Sequence, residues 1–167
     1  MPQTAYLGLG SNLGDRAANL LRALSALIVG DLRLVSASSI YETEPVDVVD
    51  QPLFLNMVVA LTAPRLEPFS LLNFCLATET RLGRKRMIER GARTVDIDLL
   101  LLDDYVIEET RGGVELTLPH PRMHLRRFVL TPLVEIAPHL KHPMLGETMS
   151  HLLGALEDPA GVRVYRE

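Results

Sequence analysis

Two segments of helical spacing, each entered from one strand-like run and left towards another, constrain the fold of this chain more than any other feature. Residues 4–11, TAYLGLGS, read as a strand closed by Gly10, Ser11 and Asn12. The next segment, GDRAANLLRALSALIVG, sets Leu20, Leu21, Leu24, Leu27 and Ile28 on a helical period, with Asp15 near its start and Gly30 at its end. LRLVSASSIYETEP alternates imperfectly, but its β-branched and aromatic content favours a strand to about Thr43. Pro45 and Pro52 bracket a loop, and LFLNMVVALTA is a third strand. Pro68 then sits where a first helical turn tolerates it, opening PFSLLNFCLATETRLG, which Gly83 ends. A basic loop leads to VDIDLLLL, a fourth strand. From residue 105 the pieces shorten to YVIEE, VELTLPH, a helix in RFVLTPLVEIA and a Pro- and Gly-punctuated end.

The order β-α-β-β-α-β over residues 4–102 is the split βαβ arrangement. It predicts an α+β fold: a ferredoxin-like βαββαβ core whose antiparallel sheet carries both helices on one face, with a C-terminal extension of short strands and helices. The other face of the sheet is then expected to be free for a site. At 167 residues the chain fits a single domain spanning 1–167. No basic segment followed by a long apolar run opens it, and charges interrupt every apolar stretch well short of about 18 residues, so a cytoplasmic location is expected. Cys75 is the sole cysteine, and its neighbours Phe74 and Leu76 make it a packed thiol rather than a nucleophile.

The fourth strand holds two acids in an apolar run. Side chains alternate faces along a strand, so Asp96 and Asp98 share one face, roughly 6.6–6.8 Å apart, while Val95, Ile97 and Leu99 enter the core. At about 7 Å and an effective dielectric near 20 two carboxylates repel by roughly 2.4 kcal/mol. A partly buried pair therefore needs arginines or a divalent metal beside it. Hard oxygen donors suit Mg²⁺, which takes one or two carboxylates together with water and substrate phosphates. A D-x-D alone also fits a solvated face paired with Arg93 or Arg90.

The preceding loop bears on that choice. Arg81, Arg84, Lys85, Arg86, Arg90 and Arg93 put six of the 17 basic residues within 13 positions, with Glu89 the only acid among them. Such a run is either a solvated loop or a cradle for phosphate, whose oxygens the arginine fork binds in pairs. The net charge of −4 argues against a surface built for nucleic acid, and no aromatics interleave the cluster. The glycines of GLGSNLGD miss the G-x-G-x-x-G spacing and read as backbone punctuation at a strand end; no Walker loop is present. His120 reads as a surface loop histidine. Asn56, mid-strand in FLNMVV, needs partners if buried, either from backbone or from a heterocyclic ligand.

Five segments in order, from about residue 5 to residue 138, together resemble the 6-hydroxymethyl-7,8-dihydropterin pyrophosphokinase family of folate biosynthesis. They are GLGSNLGD, YETEP, QPLFLNMVV, GART running into VDIDLLL, and LTLPHPRM with RRFVLTPLVEIAP. The resemblance implies transfer of the terminal pyrophosphoryl unit of ATP to the pterin hydroxymethyl oxygen, with release of AMP. It implies that Asp96 and Asp98 bind two Mg²⁺ ions bridging the ATP phosphates. Arg84 and Arg93 would handle ATP and the transferring group, with Arg86 assisting, and His120 and Arg126 would contact the nucleotide phosphates. Thr43, Val46, Phe54, Asn56 and Phe128 would form the pterin pocket, and Gly10 would let the pterin approach the first strand. The implied partners are ATP and the pterin, with no nucleic acid, no membrane and a monomeric chain.

The chain departs from the family pattern in three places. It has no tryptophan where the basic loop of well-known members carries one, Pro121 follows His120, and Glu115 stands where an ATP-contacting arginine is expected. Loops 43–53 and 83–93 are expected to close over the substrates. A pterin and nucleotide binder without catalysis, and an RNA-binding module using the sheet face, are the competing classes. The first would bind both ligands without forming AMP; the second would show salt-dependent RNA binding.

Overall fold

The computed structural model describes residues 1–46, 50–83 and 94–167. The elements run β1 (Gln3–Ser11), α1 (Arg16–Leu27), β2 (Arg33–Ala37), β3 (Tyr41–Thr43), β4 (Phe54–Ala63), α2 (Pro68–Arg81), β5 (Asp96–Leu102), β6 (Ile107–Arg111), β7 (Val114–Leu118), α3 (Arg127–Ile136), α4 (Met149–Ala155) and β8 (Val162–Val164). A single 3₁₀ turn, Met123–Leu125, precedes α3.

Local chemistry accounts for the helix starts. Asp15 caps α1, its carboxylate accepting the Ala18 N–H at 3.0 Å, and Leu20, Ala23 and Leu27 form the buried stripe. Leu21 and Ile28, on the predicted helical period, are exposed instead. Pro68 opens α2 with Glu67 as its cap, accepting from Ser70 N at 2.7 Å. Gly83, at φ +88°, follows the last turn.

Among the described residues the main sheet has six strands, ordered β5-β1-β4-β3-β8, with β2 also paired to β4. Every pairing is antiparallel. The strand expected up to Thr43 is cut in two, because β2 and β3 lie end to end along the same edge of β4. Ser38 bridges the cut: its N–H donates to Val58 O and its hydroxyl accepts from Val58 N, both at 2.9 Å, so a side chain replaces the strand carbonyl.

Two apolar clusters lie on opposite faces of this sheet. Leu7, Leu9, Leu55, Val59, Val95, Ile97 and Leu99 pack against Leu20 and Leu27 of α1 and Phe69, Leu71 and Cys75 of α2. On the other face Val58, Leu100 and Leu101 pack with Val129, Leu130 and Leu133 of α3 and Met149 of α4. The second face is therefore not free along its whole length, as the element order alone suggested; α3 and α4 cover one part. An irregularity makes this possible. Tyr6 pairs Leu101 and Leu7 pairs Leu99, so beyond Leu100, which already shares the face of Asp96 and Asp98, the bulge turns Leu101 to the α3 side as well.

The β6–β7 hairpin turns through Gly112 and Gly113, both at positive φ (56° and 79°), as a two-residue turn between paired Arg111 and Val114 demands. Its exit carries His120 to the sheet, where the His120 N–H donates to the bulge carbonyl of Leu100 at 2.9 Å.

Candidate active site

The register of the sheet builds the site. Asp96, Gly10, Asn56 and Tyr41 are successive partners across β5, β1, β4 and β3, and Asp98, Gly8 and Val58 form the next row. All these side-chain positions point to the face away from α1 and α2, since their neighbours Leu7, Leu9, Leu55, Ile97 and Leu99 fill the helix-side core. Because β1 carries glycine at 8 and 10, a shallow floor separates the two aspartates from the β4 side chains. Gly8 and Gly10 thus lie within β1 and line the cleft, while Gly14, at φ +65° just past the strand, punctuates its end.

Gly10 is required by a neighbour. A Cβ there would lie 2.8 Å from Asn56 Oδ1, closer than real contacts allow. The side chain of Asn56 thus lies flat over β1, and its Nδ2 donates to Thr43 Oγ1 at 2.6 Å. Thr43 is buried, so the amide nitrogen is held by a fixed partner.

An open cleft lies over this floor. Of the residues singled out from the sequence, Gly10, Thr43, Val46, Phe54, Asn56, Asp96, Asp98, His120, Arg126 and Phe128 all line it. Val46 sits exposed at its rim. Arg84, Arg86 and Arg93 lie outside the described residues, as do most of the loop 83–93 and part of the loop 43–53 expected to close over the substrates. Phe128 opens α3, with the Arg126 guanidinium 5.5 Å from its ring centre.

His120 is not a surface residue: it is partly buried and lines the cleft. Burial, reinforced by the charges of Arg126 and Arg122, pushes its imidazole down to about 4. Its Nδ1 accepts the Arg122 N–H at 3.2 Å, which leaves the ring proton on Nε2. The ring is therefore a neutral single donor at pH 7.

Three contributors escaped the sequence reading. Glu44, Gln51 and Arg122 line the cleft from segments that read as loops. A fourth acts from below: Glu79, 3% exposed, accepts the Ile97 N–H at 2.6 Å and so holds the edge strand between the two aspartates. The available signal was an acid four residues after buried Cys75 on the apolar stripe of α2. Burial, with Glu79 and Asp98 nearby, pushes the Cys75 thiol up to about 12, as expected of a packed rather than nucleophilic cysteine.

The donor set suits a hard divalent ion. Among the described residues no cluster of three or more His, Cys, Asp or Glu could hold a metal, so Asp96 and Asp98 would supply two carboxylates and leave the remaining positions to phosphate and water. No helix among the described residues is long and apolar enough to cross a membrane.

An antiparallel sheet with helices on it and a cleft lined by two carboxylates, an amide, two phenylalanines and cationic groups defines the class of this protein as α+β with an open polar and aromatic cleft on its sheet. Residues 6–138 match the family described as 7,8-dihydro-6-hydroxymethylpterin-pyrophosphokinase (HPPK), and the chain belongs to that family. It is 40% identical over 168 residues to the 2-amino-4-hydroxy-6-hydroxymethyldihydropteridine pyrophosphokinase of Bacillus subtilis (strain 168), covering 100% of this chain and 93% of the relative. The enzyme of the same name from Methylorubrum extorquens is 43% identical over 159 residues, covering 95% of this chain and 96% of that one. The folic acid synthesis protein fol1 of Schizosaccharomyces pombe is 38% identical over 162 residues; these are 96% of this chain but 21% of that protein. In fold, the chain is similar to a solved HPPK-DHPS in complex with substrates, with a TM-score of 0.74 at 15% identity over 93% of this chain and 43% of that one. Plasmodium falciparum HPPK-DHPS gives a TM-score of 0.74 at 16% identity over 92% of this chain and 44% of that chain. This chain thus spans about a fifth of the fungal protein and under half of the solved chains, but nearly all of the two bacterial relatives.

Proposed function

We propose that this chain transfers the pyrophosphoryl group of ATP to the hydroxymethyl oxygen of 6-hydroxymethyl-7,8-dihydropterin, yielding AMP and the pterin diphosphate, within a single domain over residues 1–167 that acts as a monomer in the cytoplasm. The observation that carries the reading is the row Asp96, Gly10, Asn56, which sets a carboxylate and an oriented amide on either side of a side-chain-free strand. Its order β5-β1-β4, with β2 and β3 on the far edge, supports a ferredoxin-like βαββαβ core extended by the C-terminal elements.

In this reading Asn56, held by Thr43, reads the polar edge of the pterin, which lies between Phe54 and Phe128 near Val46 and approaches β1 over Gly10. Asp96 and Asp98 would hold two Mg²⁺ ions. When bound, Mg²⁺ neutralises phosphate charge and aligns the phosphates with the hydroxymethyl oxygen. His120 donates its Nε2–H to a phosphate oxygen without adding charge, and Arg126 adds a forked cation. Arg84, Arg86 and Arg93 are proposed for the ATP and the transferring group. Phosphoryl transfer asks little covalent chemistry of a protein, so positioning and charge neutralisation supply most of the rate.

The test is AMP release from ATP and Mg²⁺ with and without the pterin, followed by chromatography of the pterin product. AMP formed only with the pterin, alongside its diphosphate ester, is expected. Folded protein that binds both ligands and forms no AMP would overturn the catalytic reading in favour of a binding protein.

A further inference from the structure

We propose that the C-terminal tail is a tie-bar that sets the width of the cleft, with Arg127, Asp158 and Glu44 as its positioning residues. The proposal rests on the reading of the cleft as the pterin and nucleotide site, and adds elements that touch neither ligand's reacting atoms.

One wall of the cleft is the start of α3, where Arg126 and Phe128 line it; the other is the end of β3 and the segment after it, with Thr43 and Val46. Arg127, between two lining residues, points instead to the tail. Its N–H donates to Asp158 Oδ2 and its Nε to Asp158 O, both at 3.0 Å, and its Nη2 donates to Leu156 O at 3.1 Å. Asp158 Oδ1 accepts the Ala160 N–H at 2.9 Å, which turns the chain towards the opposite wall. There Gly161 and Glu44 clasp each other: Glu44 N donates to Gly161 O at 3.2 Å and Gly161 N to Glu44 Oε2 at 3.1 Å. A Cβ on Gly161 would lie 3.2 Å from Glu44 Oε1, so glycine permits this approach. The tail then continues as β8 along β3, with Tyr165 N donating to Ile40 O at 2.8 Å.

Two residues, Pro159 and Ala160, separate the two anchors, which are therefore three chain steps apart. Even fully extended these steps reach only about 10–11 Å, so the walls cannot part further without breaking an anchor. Both anchors use an ionised side chain against backbone, the stronger kind of hydrogen bond. The pterin would thus meet Phe54 and Phe128 at a spacing already set, which lowers the ordering cost of binding.

Asp158→Ala removes the acceptor at the α3 wall, and Glu44→Ala the acceptor at the other. In each folded variant the dissociation constant for the pterin is expected to rise about tenfold, the scale of one lost charge-assisted hydrogen bond. Amide exchange should accelerate at the wall that was not mutated: at Thr43 and Glu44 in Asp158→Ala, and at Arg127 and Phe128 in Glu44→Ala, with Leu7 and Leu9 unchanged. Glu44→Gln, which keeps an acceptor oxygen for Gly161, should restore binding to within about twofold. If Asp158→Ala does not fold, Gly161→Ala gives the same readout from the other anchor. Unchanged pterin binding and unchanged exchange at the opposite wall would overturn the tie-bar. Failure of the wild-type chain to bind the pterin would overturn the functional reading instead, and the exchange coupling between the walls would still decide the tie-bar.

Discussion

The two faces of one sheet obey opposite rules. Towards α1 and α2, the residues Leu7, Leu9, Leu55, Ile97 and Leu99 are at most 5% exposed and are interchangeable in kind, all aliphatic. Towards the cleft, the positions one step along the same strands are Gly8, Gly10, Asn56, Asp96 and Asp98, which are two bare backbone positions, an amide and two carboxylates. Strand geometry makes this economical, because the period of two lets a single strand serve a core and a site without compromise. The apolar face supplies the burial that holds the polar face in position.

Four experiments break or sharpen that contrast. Asp96→Asn or Asp98→Asn should lower turnover by about two to three orders of magnitude, with the melting temperature unchanged, because neither aspartate belongs to either apolar cluster. Near-normal rates at saturating Mg²⁺ would remove the metal assignment. On the other face, Leu7→Ala should cost about 3 kcal/mol in urea unfolding while leaving kcat per folded molecule close to wild type. A large fall in kcat there would mean that the two faces are coupled.

Gly10→Ala tests the floor itself. Its methyl group meets Asn56 Oδ1 at 2.8 Å, so the amide must leave Thr43; KM for the pterin should rise about tenfold with KM for ATP little changed. The smallest effect concerns pH. The His120 imidazole, held down to about 4 in the fold, sits below its usual value of 6.5, so between these values the unfolded chain binds a proton that the folded chain does not. Stability is complete above pH 6.5 and declines as pH falls towards 4. Unfolding free energies of a His120→Asn variant at pH 7, 6 and 5 should show a shallower decline, and an unchanged slope would exclude this source.

Much of the site was legible because it lies on regular elements. Asp96 and Asp98 were placed on one face by period alone, and Asn56 stood out as an amide inside an apolar run. The interrupted second strand was not legible, since Ser38 replaces a backbone bond with its hydroxyl only when Val58 lies opposite. Nor was the role of Gly8, and Gly10 was singled out only through the family resemblance, since local spacing reads both as turn residues until β1 is flanked by β4 and β5. Glu79 was not singled out, although it holds the backbone of Ile97 from beneath. Arg127 read as one more basic residue in RRF, although it reaches the tail rather than the cleft.

What the chain determined by itself was the order of elements, the two faces of each strand and the kinds of side chain available for the site, because periodicity and turn chemistry act within a few residues. The tertiary structure alone decided which of those side chains meet. Registers between strands far apart in sequence bring Asp96, Gly10 and Asn56 into one row, and contacts from α3 and the tail give the cleft its walls. Such meetings depend on long-range packing and hydrogen bonding, and no local pattern encodes them.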